Sequence, residues 1–309
     1  GDSCPLAKGF FDRLPAARDE AFTKQLQTFD QTALQRLAKQ HSLCPYFLGQ
    51  ELARWADIVV ADINQFLASS AILYGYLVQD ERKVSALVDE SHNLISRCRD
   101  LYSLELRQID YRFDTNNQDL QRALDSVQRA WQQLFSDRTG EQEFINYLPD
   151  KLENALQKLC SVIGEELATD PSSVELQNLL FASSAYLKLA EQFGEHSIAR
   201  VEKRRRGRGE LAILNMDPSL FLVERWQSLH SLTLFSATLK PFDYYQQLLG
   251  LNEPVSGSLP SPFEPDQIRL TLRRDIDTRY QFRERSIQPI AELLVELYHQ
   301  NPGNHLFFS

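Results

Sequence analysis

Two acidic side chains at the end of an apolar run can hold a magnesium ion and orient a water. Asp89 and Glu90 occupy such a place, after Val84-Ser85-Ala86-Leu87-Val88 and before Ser91-His92-Asn93. The preceding run reads as a short strand buried on both faces. Open α/β sheets place their ligands beyond the carboxyl ends of their strands. One carboxylate can there bind the cation, directly or through its water, while its neighbour orients the water that attacks a terminal phosphoryl group. Adjacent side chains diverge within a continuing strand, so the pair needs a strand-to-turn transition to aim both at one site. An Asp-Glu dipeptide alone is most simply acidic surface; what raises it is the buried run and a second polar strand end, Ser236-Ala237-Thr238, after Leu232-Thr233-Leu234-Phe235.

The elements that must position these residues follow from periodicity. Asp57-Ile58-Val59-Val60-Ala61-Asp62 has the continuous β-branched run of a buried strand, and Val84–Val88 repeats it after helix-compatible sequence. Two such strands with helical material between them imply a parallel α/β sheet. From about Asp100 to Ala199 the strand signal nearly vanishes, and Leu120, Leu124, Val127, Ala130, Trp131 and Leu134 recur at three- and four-residue steps. That spacing makes one helical face. Further stripes run through Leu152, Leu156, Leu159 and Ile163, and through Leu179 to Phe193, so the segment is expected to be all helical. Strand character returns at Leu211–Leu214, and Asp217-Pro218-Ser219 can start a helix. The helical segment therefore reads as an insertion into an α/β domain. Asn252 to Gln267, with Pro254, Gly257, Pro260, Pro262 and Pro265, has the composition of an interdomain linker. Beyond it, Ile268–Leu272 reads as a strand, Ile287–His299 as a helix and His305–Phe308 as the opening of another strand.

The formal net charge of −9 works against indiscriminate attraction to a phosphate backbone, so nucleic-acid contact must come from a local basic surface. The strongest basic run contains Lys203, Arg204, Arg205, Arg206 and Arg208, at the return from the helical segment; it can contact DNA phosphate or form a solvated charged hinge. Arg273 and Arg274 belong to a second, scattered set that can touch a strand or pair with Asp275 and Asp277. Cys4, Cys44, Cys98 and Cys160 are widely spaced, with no Cys-x-x-Cys pair, so no disulfide framework or self-contained zinc site is signalled. No stretch approaches the roughly 18 to 20 apolar residues that span a bilayer, and Gly1–Pro5 lacks the form of a secretion signal. The chain reads as cytoplasmic, with no membrane partner.

At this point the residues resemble a known family. Val88-Asp89-Glu90-Ser91-His92-Asn93 resembles the Asp-Glu-Ala-His motif of superfamily 2 helicases, and Ser236-Ala237-Thr238-Leu239 their Ser-Ala-Thr motif. The ordered set Ser3-Cys4-Pro5-Leu6-Ala7, Cys44-Pro45-Tyr46, Ala56–Asp62 and Val88–Asn93 is similar to bacterial XPD/DinG-like helicases with an iron–sulfur cluster. The resemblance assigns Asp89 to magnesium, Glu90 to water activation and His92 to communication with neighbouring motifs. It assigns Ser236 and Thr238 to coupling of nucleotide state to movement, and Cys4 and Cys44 to cluster ligation. At Ser91 the family usually has Ala; the added hydroxyl is expected to leave the two acids in place.

The resemblance implies ATP and Mg2+ as cofactors, a 4Fe–4S cluster in the intact parent and single-stranded or forked DNA as partner, with the protein a monomer. It implies an α/β fold: an incomplete RecA-like P-loop NTPase motor domain interrupted by an all-helical, arch-like insertion, and the start of a second RecA-like domain. The expected boundaries are a partial cluster segment at 1–50, the first part of motor domain 1 at 51–99, the insertion at 100–209 and the return to motor domain 1 at 210–250. A linker at 251–267 and the start of motor domain 2 at 268–309 complete the plan. No Gly-x-x-x-x-Gly-Lys-Ser/Thr phosphate loop occurs in the 309 residues. The chain therefore reads as an internal fragment of an ATP-dependent 5′–3′ DNA helicase, inactive by itself and with its cluster absent or incomplete. The alternative is a noncatalytic DNA-binding or scaffold module that keeps the architecture.

Overall fold

The structure is a computed structural model that describes residues 4–23, 28–68, 70–113, 115–136, 138, 140–204, 208–264, 267, 270 and 272–307. The chain divides into two compact units, Gly1–Val255 and Ser256–Ser309.

The first unit opens with three helices, α1 (Phe10–Thr23), α2 (Gln31–Gln40) and α3 (Pro45–Ala53). Asp30 starts α2 by accepting the Ala33 N–H at 2.8 Å, and Pro45, which has no N–H to lose, takes the first position of α3. Leu14, Ala17, Ala21, Leu37, Ala38, Leu43, Leu48 and Leu52 form their common core. The strand expected at Asp57–Asp62 does not form: Ile58 and Val60 are 84% and 96% exposed, on backbone without a ladder partner among the described residues. A β-branched run becomes a strand only when another strand satisfies its peptide groups.

Short helices α4 (Asn64–Leu67) and α5 (Ile72–Gln79) lead into strand β1 (Ser85–Val88), and α6 (Leu94–Leu101) follows it. Next come β2 (Leu104–Arg107), α7 (Gln118–Ser136), β3 (Gln142–Ile145), α8 (Asp150–Thr169), α9 (Val174–Ala190), β4 (Ser197–Glu202) and β5 (Glu210–Asn215). Helix α10 (Ser219–Gln227), strand β6 (Ser231–Leu234) and helix α11 (Phe242–Leu248) end the first unit.

Strands β1 and β6 pair in parallel, Ser85 opposite Ser231 through Val88 opposite Leu234, although 142 residues separate Val88 from Ser231. Their core joins Leu67, Val88, Leu94, Ile95, Cys98, Tyr102, Leu222 and Leu249. A parallel pair requires a crossover connection, and here the crossover carries a complete second layer.

That layer corrects the expectation of an all-helical insertion. Strands β2, β5, β4 and β3 form an antiparallel four-stranded sheet in that order. Helices α7, α8 and α9 share a core with one face of it: Trp131, Leu152, Leu156, Leu159 and Ile163 meet Leu106, Ala199, Val201, Leu211 and Ile213. Only alternate residues of β2, β3 and β4 face this core, and the intervening Glu105, Arg107, Gln142, Arg200 and Glu202 hide the strand pattern. Leu211–Leu214, expected to rejoin the parallel sheet, lies in β5 at the centre of the antiparallel one. The far face over β5 is closed by an ion pair: Arg200 Nη2 reaches Glu105 Oε2 at 2.6 Å across Ala212, whose methyl leaves room for it. The return to the parallel sheet is made by β6.

In the second unit, a 3₁₀ turn at Tyr280–Phe282 precedes helix α12 (Arg283–Gln300), and the buried Ser286 hydroxyl donates to the Asp277 and Phe282 carbonyls. Most of the strand expected at Ile268–Leu272 lies outside the described residues, as does Phe308, and His305–Phe307 form no strand. Among the described residues no helix is long and apolar enough to cross a membrane.

Candidate nucleotide site at the parallel strand ends

The ends of β1 and β6 meet through their backbones before any side chain is considered. Phe235 N–H donates to the Val88 carbonyl at 3.0 Å, extending the ladder by one residue on the β6 side. On the β1 side the chain turns sharply. Glu90 has φ 49° and ψ 38°, a left-handed conformation that a residue with a Cβ adopts at a cost of about 1–3 kcal/mol. Asp89 Oδ1 supports it by accepting the Glu90 N–H at 2.7 Å, and the Glu90 carbonyl accepts the Asn93 N–H at 3.0 Å as the 3₁₀ turn Ser91–Asn93 begins. The turn breaks strand alternation directly after Asp89, so the exposed Asp89 and Glu90 carboxylates share one end of the sheet.

The Ser236 hydroxyl is the hub of the site. Its Oγ lies 2.7 Å from His92 Nδ1 and 3.3 Å from Glu90 Oε2, and it accepts the Thr238 N–H at 3.3 Å. His92 Nδ1 is also 3.1 Å from Glu90 Oε2. A hydroxyl has one hydrogen and two lone pairs. With that hydrogen donated to Glu90, both lone pairs accept, one from Thr238 and one from His92, which assigns a proton to His92 Nδ1. Glu90 Oε2 thus sits against two donors, leaving Oε1 outside the bonded hub. The Ser91 N–H and hydroxyl both donate to the Phe235 carbonyl, at 3.2 and 2.9 Å.

Of the residues singled out from sequence, Glu90, His92, Ser236 and Thr238 are brought into one hydrogen-bonded group, with Asp89 on its open side. Sequence reasoning undervalued Ser91: the signal was a hydroxyl residue immediately after the acidic pair, at a position the turn buries completely.

The magnesium expectation fits this end of the sheet. Asp89 and Glu90 offer hard carboxylate oxygens in the open, where a cation can keep most of its water. The iron–sulfur expectation does not fit this chain by itself. Cys4 is exposed and Cys44 half-buried at the start of α3, while the Arg13 guanidinium ties their segments by donating to the Leu6 carbonyl at 3.3 Å and the Ser42 carbonyl at 3.0 Å. A cubane cluster takes four ligands, and among the described residues no three His, Cys, Asp or Glu side chains gather as a metal-holding group.

The basic residues are more committed than their sequence implied. Arg204 bridges Glu202 at 2.7 Å and Glu210 at 3.1 Å, and these carboxylates raise its pKa above the ordinary arginine value. Lys203 Nζ donates to the Phe135 carbonyl at 3.4 Å. Arg273 pairs with Asp275 at 2.6 Å and holds that carboxyl down to about 2. Arg208 and Arg274 are exposed, and Arg205 and Arg206 lie outside the described residues.

Residues 2–110 match the DEAD_2 family. The chain is also 27% identical over 101 residues to a protein from Anopheles gambiae named regulator of telomere elongation helicase 1 homolog. That alignment covers 33% of this chain and 10% of the relative, so the chain matches about a tenth of that protein's length. The first third of the chain is thus similar to helicase-like proteins of superfamily 2. The family match contains Cys4, Cys44 and Asp89 to His92, whereas Ser236 lies beyond it.

Proposed function

We propose that this chain belongs to an ATP-dependent DNA helicase of the XPD/DinG-like kind, which couples hydrolysis to 5′–3′ movement along single-stranded DNA. The observation that carries the reading is the Ser236 hub, which joins Glu90 and His92 at one strand end to the Ser-Ala-Thr segment at the other. Bound magnesium would neutralise charge on the phosphates, and Asp89 is the residue that would hold it. Glu90, with Oε2 restrained by Ser236 and His92, would orient the attacking water through Oε1. A change at the phosphates that moves Glu90 must also move Ser236 and Thr238, which gives the hub its coupling role. In this reading Cys4 and Cys44 supply part of a 4Fe–4S ligand set, and the layer of α7–α9 and its sheet guides the strand. Of the basic residues singled out from sequence, the exposed Arg208 and Arg274 are open to phosphate.

Hydrolysis is the test. The complete open reading frame encoding these residues, supplied with ATP, magnesium and single-stranded DNA, is expected to hydrolyse ATP. Glu90→Gln, which keeps shape and removes the base, is expected to lower that rate about 100-fold or more. An unchanged rate in Glu90→Gln would remove Glu90 from the chemistry. Strand binding without any response to ATP would describe a noncatalytic DNA-binding or scaffold module instead.

A further inference from the structure

We propose that Ser91 is a positioning residue whose hydroxyl clamps the end of β6 and thereby sets the Ser236 hydroxyl against Glu90 and His92. The proposal rests on the hydrolytic reading of this site and extends it to a residue that the helicase resemblance leaves without a role, since the resembled motif has Ala there.

Ser91 is 0% exposed. Its N–H and its O–H converge on the Phe235 carbonyl at 3.2 and 2.9 Å, using both lone pairs of that oxygen. The Phe235 N–H is held from the other side by the Val88 carbonyl at 3.0 Å. Phe235 is therefore bound to the β1 end through both of its peptide groups, and the carbonyl held by Ser91 belongs to the peptide that leads into Ser236. With Ala at position 91 the carbonyl keeps one donor and gains freedom to turn about that single bond. Hydrogen bonds weaken steeply with angle, so a small rotation of the Phe235–Ser236 peptide displaces Ser236 Oγ from contacts that already span 2.7 to 3.3 Å. The Ser91 hydroxyl touches none of the reacting groups and acts through Ser236.

The experiment compares the complete encoded protein with Ser91→Ala, Ser91→Cys, a near-isosteric side chain with a weak donor, and Glu90→Gln. The first readout is amide hydrogen exchange at Thr238, whose N–H donates to Ser236 Oγ. It is expected to quicken about threefold or more in Ser91→Ala and by less in Ser91→Cys, with the Phe235 amide unchanged. The second is the ratio of DNA-stimulated to basal ATP hydrolysis, expected to fall about threefold or more in the same order while KM for ATP holds. A merely structural role would quicken exchange along the whole β1–β6 ladder and leave the ratio alone. Unchanged Thr238 exchange in Ser91→Ala overturns the proposal whatever hydrolysis does, and so does quickened exchange with an unchanged ratio in an active enzyme. If neither the parent nor Glu90→Gln hydrolyses ATP, the hydrolytic reading falls. Thr238 exchange then decides by itself whether Ser91 positions Ser236.

Discussion

The Ser236 hydroxyl spends its one hydrogen and both lone pairs on Glu90, His92 and Thr238, so its orientation is settled by its neighbours. Residue types that invite this chemistry were legible in the sequence: an acidic pair after an apolar run, and a second polar strand end 146 positions beyond Glu90. The left-handed turn at Glu90 and the second donor from Ser91 were not legible, because they depend on where the β6 backbone lies. Cysteine chemistry separates at the same scale. Burial pushes the Cys98 thiol up to about 12, whereas Cys4 is exposed. The thiolate is the reactive form, so at pH 8 iodoacetamide is expected to modify Cys4 rapidly and Cys98 only after denaturation. Mass spectrometry of the native protein would show this, and early labelling of Cys98 would contradict its place in the core beside Val88 and Ile95.

Elements were read best where one face repeats for several turns. The 19-residue α7 and the 20-residue α8 follow apolar stripes that bury Leu120, Leu124, Val127, Trp131, Leu152 and Leu156 as their spacing required. Strands β2, β3 and β4 were not legible, because polar residues alternate with the inward ones and break the apolar run that marks β1 and β6. Glu105 and Arg107 in β2, and Gln142 and Glu143 in β3, look like surface until β5 and β4 supply their partners. The backbone entering β5 is held by a close approach at Gly209. A methyl at Gly209 would stand 2.1 Å from Phe135 Cζ, while the Gly209 carbonyl accepts the Gln108 N–H at 2.8 Å. Gly209→Ala is therefore expected to destabilise the protein by about 1–3 kcal/mol, since neither ring nor backbone can move freely. Urea denaturation should show a lower midpoint with an unchanged slope; a wild-type midpoint would mean that Phe135 repacks without cost.

At the scale of the whole molecule, the boundary between the two units falls at Val255/Ser256, inside the Pro-rich stretch that sequence marked as a linker. Val255, Leu259 and Phe263 are exposed there on irregular backbone, at 104%, 93% and 69%. Elastase is expected to cut first after Val255, before it enters the helices of either unit; first cleavage within α7–α9 would contradict this order.

The net charge of −9 carries through to surfaces: Arg204 and Arg273 face carboxylates, so phosphate contact would fall to basic residues without such partners. The sequence by itself determined the helices α7 to α9, the two short apolar runs that become β1 and β6, and the residue types at their ends. These depend on local periodicity and on the hydrophobic ends of short runs. Tertiary structure alone decided that Asp57–Asp62 has no strand partner among the described residues, that Leu211–Leu214 joins an antiparallel sheet, and that Ser91 grips the Phe235 carbonyl. Each of these depends on which peptide group lies opposite, and a hydrogen-bond partner more than a hundred residues away leaves no mark on local pattern.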